Sequence, residues 1–172
     1  TSVVNAEASC QIEDCKYGNG VIVGNTFSHD IWVSGASGVL IANNRCAQLR
    51  VSVGNPTGQD VHSTIFKENY CISINAQKYG SLATANTYSF ECVNNTIDPQ
   101  YALKLGRPIP SRAHTIQGGD YGKDITLRGN KVISAALTNQ ASLIRGSILN
   151  YKSYDNDWGV GSVVTSGTGG YA

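Results

Sequence analysis

One spacing of apolar and polar positions recurs along the chain, each time around an asparagine. Three residues before Asn130 lies Leu127, and two residues after it lies Val132. The same frame surrounds four earlier asparagines: Asn25, Asn44, Asn69 and Asn95. The five asparagines are separated by 19, 25, 26 and 35 residues, which indicates a constant unit with loops of variable length between its copies. Units of this kind stack, because each can bury its apolar face only against its neighbours.

The remainder of each unit predicts strands. A second alternating run follows the asparagine at residues 31–33, 49–53 and 72–74, and it is rich in β-branched residues. Leucine-rich repeats share the asparagine frame, but here the apolar columns hold Ile, Val, Phe and Cys more than Leu, and no helical periodicity follows. We therefore expect two short strands per unit with a sharp corner between them. Buried asparagines at that corner are expected to stack as a ladder.

Three segments carry a resemblance to a known family: GVIVGNTF (20–27), SGVLIANNRC (37–46) and GKDITLRGN (122–130). They resemble coils of the pectin-lyase-like superfamily, which includes pectate lyases, polysaccharide hydrolases and the tail spikes and tail appendages of bacteriophages. The resemblance covers roughly residues 19 to 150. It implies an all-β fold, a right-handed parallel β-helix (solenoid) of about 5–7 coils with an internal asparagine ladder. The repeated residues build the core, so the resemblance bears on the fold more than on an activity.

The predicted organisation is a single domain over residues 1–172. Residues 1–18 form an N-terminal cap or incomplete coil, residues 19–150 form the coils, and residues 151–172 form a C-terminal tail. A long insertion at 98–121 interrupts the coils, and its prolines argue against a regular helix there. The only stretch with moderate helical character is 135–144.

Outward positions of the early coils are apolar where an isolated rod would be polar. Val21, Leu40 and Ile65 form one such stripe. We expect this face to be covered, either by the ends of the same chain or by another subunit. Tail-spike-like β-helices commonly associate as parallel trimers, so the resemblance favours a homotrimer.

Composition narrows the classes of partner. The net charge is +1 and only 15% of residues are charged, so we expect no nucleic-acid partner. We find no transmembrane span and no signal peptide, and we expect no membrane insertion. The chain contains no methionine, which leads us to expect a processed product or an excised domain.

The cysteines do not predict a metal site. Cys46, Cys71 and Cys92 fall in inward columns and are expected to be small buried hydrophobes. Cys10 and Cys15 could pair or bind a metal, but two ligands without a second pair make a weak site. We predict neither a metal nor a cofactor.

Cleavage of a polysaccharide requires two carboxylates, or a base beside carboxylates. The candidate catalytic acids are Glu68, Glu91, Asp98, Asp120 and Asp124. Glu68 and Glu91 lie one coil apart and could share a surface, whereas the three aspartates flank the long insertion. Solvated surface charges are the alternative interpretation of each.

Candidate residues for binding a saccharide combine flat rings with charged groups. They are Trp32, Tyr101, Arg107, Arg112, His114 and Tyr121. Trp32 is expected to point outward between inward-facing Ile31 and Val33, although it could instead belong to the covered face.

The resulting hypothesis is a phage tail-spike-like or tail-appendage-like domain, extracellular or in the virion tail, that binds a bacterial cell-surface polysaccharide. Whether it also degrades the glycan is left open. One alternative is a polysaccharide lyase or glycoside hydrolase of the pectate-lyase type. Another is a structural module of a fibre.

Overall fold

The computed structural model describes residues 8–13, 20–53, 61–78, 88–110, 114–117, 122–133, 140–145, 149–158 and 162–166. These residues form mainly β-strands joined by turns and bends, with one helical turn, α1 (Tyr101–Lys104). The strands are β1 (Ala8–Glu13), β2 (Val21–Val23), β3 (Asp30–Ser34), β4 (Leu40–Ala42), β5 (Gln48–Val53), β6 (Val61–Lys67), β7 (Tyr70–Cys71), β8 (Ser73–Lys78), β9 (Tyr88–Val93), β10 (Thr96–Ile97), β11 (His114–Gln117), β12 (Gly122–Arg128), β13 (Lys131–Val132), β14 (Gln140–Arg145), β15 (Leu149–Tyr154) and β16 (Ser162–Ser166).

The strands form three parallel sheets. One has seven strands in the order β1-β3-β5-β8-β11-β14-β16, and a second has six in the order β15-β12-β9-β6-β4-β2. A third, short sheet has the order β13-β10-β7. Consecutive strands alternate between sheets because parallel neighbours cannot be joined by a tight hairpin. The predicted all-β class is confirmed, and each sequence repeat adds strands to the same sheets.

Constant register aligns the apolar column that precedes the asparagines. Ile22 pairs with Ile41, Ile41 with Phe66, Phe66 with Cys92, and Cys92 with Leu127. The last four side chains are fully buried and belong to one continuous hydrophobic core. The core thus follows the repeat, because each copy places the same position inward.

The asparagines form a hydrogen-bonded ladder. The Nδ2 of Asn69 donates to Oδ1 of Asn95 (3.0 Å) and to the carbonyl oxygen of Ile41 in the preceding repeat (2.8 Å). The backbone N–H of Asn69 donates to the same Oδ1 at 3.0 Å. Each buried amide therefore joins its own repeat to both neighbours, which satisfies polar groups that would otherwise be costly to bury.

The ladder has a sixth member that the sequence frame did not predict. Asn130 donates through Nδ2 to Oδ1 of Asn156 (2.9 Å), and Asn156 donates to the carbonyl oxygen of Leu127 (2.8 Å). Its frame departs from the others three residues before the asparagine, where Ser153 replaces an apolar residue, whereas Trp158, two residues after it, packs against the core. The repeats therefore continue into the region that we predicted as a tail, where β15 and β16 pair with β12 and β14.

The residue before each ladder asparagine makes the corner by adopting a positive φ. These residues are Gly24 (73°), Asn43 (54°), Glu68 (55°), Asn94 (54°), Gly129 (62°) and Asp155 (55°). The left-handed region is unfavourable for most side chains, and Glu68 adopts it although it is neither Gly, Asn nor Asp. At Gly129 an added Cβ would lie 2.2 Å from Oδ1 of Asn94, so the site also needs glycine for space.

Two elements differ from prediction because neighbouring strands decide local structure. The insertion at 98–121 contains α1, which ends before Pro108, so the expectation of no helix was wrong for Tyr101–Lys104. It also contains β11, which lies between β8 and β14 in the seven-stranded sheet. The stretch with predicted helical character contains strand β14, since tertiary pairing outweighs weak propensity.

The outer apolar stripe remains partly exposed to solvent in the single chain. Val21 is 66% exposed and Val23 is 47% exposed, while Leu40 and Ile65 are half-buried. None of the described residues forms a helix long and apolar enough to cross a membrane.

Candidate functional site

The predicted site residues fall into separate groups on the outer surface. Glu91 and Asp124 line one cleft, and Glu68 lines another at a corner beside the ladder asparagines. Arg107 is joined through Asp30 to the network around Trp32. The expected cluster of three aspartates around the insertion is not formed by Asp98 and Asp124, which line different clefts. His114 is the first residue of β11, and Asp120, Arg112 and Tyr121 lie outside the described residues.

We call the first cleft, on the six-stranded sheet, the acidic cleft. It has a volume of about 380 Å³ and is lined by Ser63, Thr64, Ile65, Ser89, Phe90, Glu91 and Asp124. Glu91 lies in β9 between Ile65 of β6 and Thr126 of β12. The constant register therefore places its exposed carboxylate in the same outward row as the apolar stripe.

Bulges in the strands bring Asp124 into this cleft. Ser63 (φ 52°) and Asp124 (φ 50°) lie where the pairing of β6 and β12 with β9 shifts register. Such bulges change the direction of a side chain relative to a regular strand. Asp124 also accepts a hydrogen bond from Nδ2 of Asn150 (2.7 Å), which holds its carboxylate towards β15.

The arrangement provides two exposed carboxylates on adjacent strands. Asp124 lies two positions before Thr126, the partner of Glu91 in the register. Both residues line the acidic cleft, so their carboxyl groups open into the same space. Paired carboxyl groups are the groups that glycoside hydrolysis requires.

We call the second cleft, beside the ladder asparagines, the corner cleft. It has a volume of about 330 Å³ and is lined by Gly24, Asn25, Thr26, Asn43, Asn44, Arg45, Glu68 and Tyr70. The guanidinium carbon of Arg45 lies 4.5 Å from the centroid of the Tyr70 ring and 5.2 Å from that of Tyr101. Glu68 pairs with Lys67 at 3.5 Å. Glu68 and Glu91 thus line different clefts.

A hydrogen bond between Tyr70 and Asp98 supports the back of the corner cleft. The Tyr70 hydroxyl donates to the Asp98 carboxylate, and the Tyr70 ring meets Tyr101 edge-on at 5.3 Å. Burial, together with this hydrogen bond, raises the pKa of Tyr70 to about 12. Asp98 also accepts the backbone N–H of Gln100 (3.1 Å) at the start of α1. Asp98 therefore acts in positioning α1 against the repeats.

A buried ion network joins Arg107 of the insertion to the stacked repeats. Asp30 is 3% exposed and accepts hydrogen bonds from Arg50 (3.2 Å) and Arg107 (3.0 Å). The Arg50 guanidinium lies 4.6 Å from the Trp32 ring, and Trp32 Nε1 donates to Ser52 Oγ (2.6 Å). A buried carboxylate needs such partners because an unpaired charge is costly to desolvate. Trp32 and Arg107, predicted to bind saccharide, thus belong to one structural network.

Sequence reasoning missed Arg45 and Tyr70. Both occupy the position directly after a ladder asparagine, where Arg45 and Tyr70 pair as neighbours through an isolated parallel bridge. Since the next residue, Cys46 or Cys71, faces the core, the residue between should face outward. This alternation was the available signal.

Among the described residues, no cysteine lines either cleft. Cys46, Cys71 and Cys92 are free and fully buried. Burial raises the pKa of all three thiols. Cys10 is free and partly buried, and Cys15 lies outside the described residues.

No protein family, curated protein or solved structure matches the chain.

Proposed function

We propose that the chain is a right-handed parallel β-helix of the pectin-lyase-like kind that binds a bacterial cell-surface polysaccharide, as phage tail spikes and tail appendages do. The three parallel sheets, the constant register and the continuous asparagine ladder support this fold. The setting we propose is extracellular or in a virion tail.

The observation that carries the binding function is the position of the two clefts on neighbouring repeats. Ile65 of β6 lines the acidic cleft, and Glu68, three residues later at the corner that follows β6, lines the corner cleft. A polymer lying across this surface contacts both clefts. Carboxylates, amides and an arginine supply hydrogen bonds to sugar hydroxyls, while the tyrosine ring supplies a flat apolar surface.

Any cleavage is proposed to take place in the acidic cleft. Glu91 and Asp124 would act as general acid and general base, with the water between them. Ser63 and Ser89, which line the same cleft, would position sugar hydroxyls.

We also propose a homotrimer, supported by the exposure of Val21 and Val23 on edge strand β2. Association would bury these side chains and shield the open sheet edge. Light scattering over a dilution series tests this part. A stable mass of three chains supports it, and a single-chain mass at micromolar concentration contradicts it.

The binding proposal is tested with purified capsular polysaccharides and lipopolysaccharides, using affinity electrophoresis for retention and a reducing-end assay for cleavage. Glu91→Gln and Asp124→Asn are the test variants, and Asp155→Asn changes an exposed acid outside both clefts. Retention without cleavage supports an adhesin. Cleavage that both test variants abolish, and the control keeps, supports a hydrolase. Failure to retain any glycan contradicts the proposal and favours a structural module.

A further inference from the structure

The Arg45 guanidinium is held in place by aromatic rings and keeps its donors available. Its carbon lies 4.5 Å and 5.2 Å from the ring centroids of Tyr70 and Tyr101, while the side chain remains exposed. Among the described residues, no hydrogen bond or ion pair engages this guanidinium. Stacking on rings restricts the orientation of the guanidinium without using its N–H groups.

The nearby acids are engaged by other partners. Glu68 lines the same cleft, but its carboxylate lies 3.5 Å from Lys67 Nζ. Asp98 accepts the Tyr70 hydroxyl and the backbone N–H of Gln100. The corner cleft therefore contains an oriented, exposed cation that pairs with no acid among the described residues.

The remaining lining suits a sugar around that cation. Asn25 and Asn43 are exposed beside Arg45, and their amides can both donate to and accept from hydroxyls. The cleft volume of about 330 Å³ lies at the lower end of the range for small-molecule sites, about 300–1,000 Å³. A planar guanidinium matches a carboxylate by two parallel hydrogen bonds.

We propose that the corner cleft binds the carboxylate of an acidic sugar residue, with Arg45 as its bidentate partner and Tyr70 and Tyr101 as the support that orients it. The inference rests on the proposed polysaccharide binding and specifies its substrate class. The polymer recognised is then acidic, and recognition depends on a cleft separate from the one proposed for cleavage.

Affinity electrophoresis measures how strongly the protein is retained by four acidic polymers: polygalacturonate, alginate, hyaluronan and polysialic acid. The neutral polymers for comparison are the carboxyl-reduced form of each and dextran. We expect retention by at least one acidic polymer and at least tenfold weaker retention by its carboxyl-reduced form. Charge-assisted hydrogen bonds of this kind correspond to roughly a tenfold to hundredfold change in affinity. We expect a loss of that size for Arg45→Gln.

Two further variants separate specific recognition from general charge. Arg45→Lys keeps the charge without the planar fork, so we expect weaker binding than that of the native protein but stronger binding than that of Arg45→Gln. Lys131→Gln removes an exposed cation from the same outward column and should change retention less than twofold. Thermal unfolding followed by circular dichroism establishes that all three variants are folded.

The outcomes distinguish this inference from the broader function. Binding to a neutral polymer that Arg45→Gln leaves unchanged overturns the carboxylate site but keeps polysaccharide binding. Equal losses for Arg45→Gln and Lys131→Gln also overturn it, because they indicate unspecific attraction. Retention by none of the polymers, acidic or neutral, counts against both proposals.

Discussion

Replacing Asn69 with alanine removes the centre of the asparagine ladder. The Asn69 side chain is buried and donates to the Ile41 carbonyl oxygen (2.8 Å) and to Asn95 Oδ1 (3.0 Å). Its own Oδ1 accepts the backbone N–H of Asn44 (3.0 Å) and Nδ2 of Asn44 (3.1 Å). Four hydrogen bonds that join three repeats are lost together.

One of these losses leaves a buried backbone group without its partner. It is the N–H of Asn44, and a buried donor left unsatisfied costs about 1–3 kcal/mol. The Ile41 carbonyl oxygen lies within the paired register of β4 and β6. The other two partners keep a bond, since Asn95 Oδ1 still accepts the backbone N–H of residue 69 and Asn44 Nδ2 still donates to the Ile22 carbonyl oxygen. We therefore expect the free energy of unfolding to fall by about 2–4 kcal/mol, of which about 1 kcal/mol comes from the other lost bonds together.

The matched control is Asn25→Ala at the exposed end of the ladder. It removes Nδ2 bonds to Val23 O (3.0 Å) and Asn44 Oδ1 (3.4 Å), but the backbone N–H of residue 25 still donates to Asn44 Oδ1 (2.9 Å). We expect a loss of about 1 kcal/mol or less, because solvent can replace the lost partners. Urea unfolding followed by circular dichroism measures both variants. Equal destabilisation by the two substitutions would refute the reasoning.

Three further predictions concern the surroundings of the clefts. Arg107→Met removes one of the two arginines bound to Asp30, so we expect the free energy of unfolding to fall by about 1–3 kcal/mol and proteolysis of the insertion to become faster. Lys104→Met, at an exposed position, is the control, and equal proteolysis rates for the two variants would contradict a role of the Arg107–Asp30 pair in holding the insertion. Burial raises the pKa of the Cys71 thiol, so we expect it to resist iodoacetamide in the native protein and to react after denaturation. Rapid labelling of the native protein would contradict the burial of Cys71 in the core. The pKa of Tyr70 is raised to about 12 from an ordinary value of 10.0, so the stability that its neutral hydroxyl contributes is complete below pH 10 and disappears as the pH rises towards 12. Ultraviolet difference titration of the native protein against Tyr70→Phe measures the ionisation of this hydroxyl. Ionisation near pH 10 would contradict the raised pKa.

Much of the repeat could be predicted because its defining positions are close together in sequence. Leu127, Asn130 and Val132 specify an inward apolar residue, a corner and a second inward residue within one short segment. Stacking in constant register then puts equivalent positions side by side. Asn156 was not predicted because Ser153 breaks the local pattern, although Trp158 packs against the core and Asn156 makes the same hydrogen bonds as the other ladder asparagines.

The candidate site could be predicted only in part. Glu91 and Asp124 were both identified as acids, but their shared cleft depends on the bulge at Asp124, which sequence alternation does not reveal. The contact of Arg45 with Tyr101 depends on where the insertion crosses earlier repeats.

The sequence by itself therefore determined the parallel β class, the inward columns and five ladder asparagines, because each follows from spacing within one repeat. Only the tertiary structure decided which outward residues meet. Arg107 and Asp30 are 77 residues apart, and their contact follows from the path of the insertion across the stacked repeats. Long-range contacts of this kind are set by packing and backbone geometry, which leave no periodic signal in the chain.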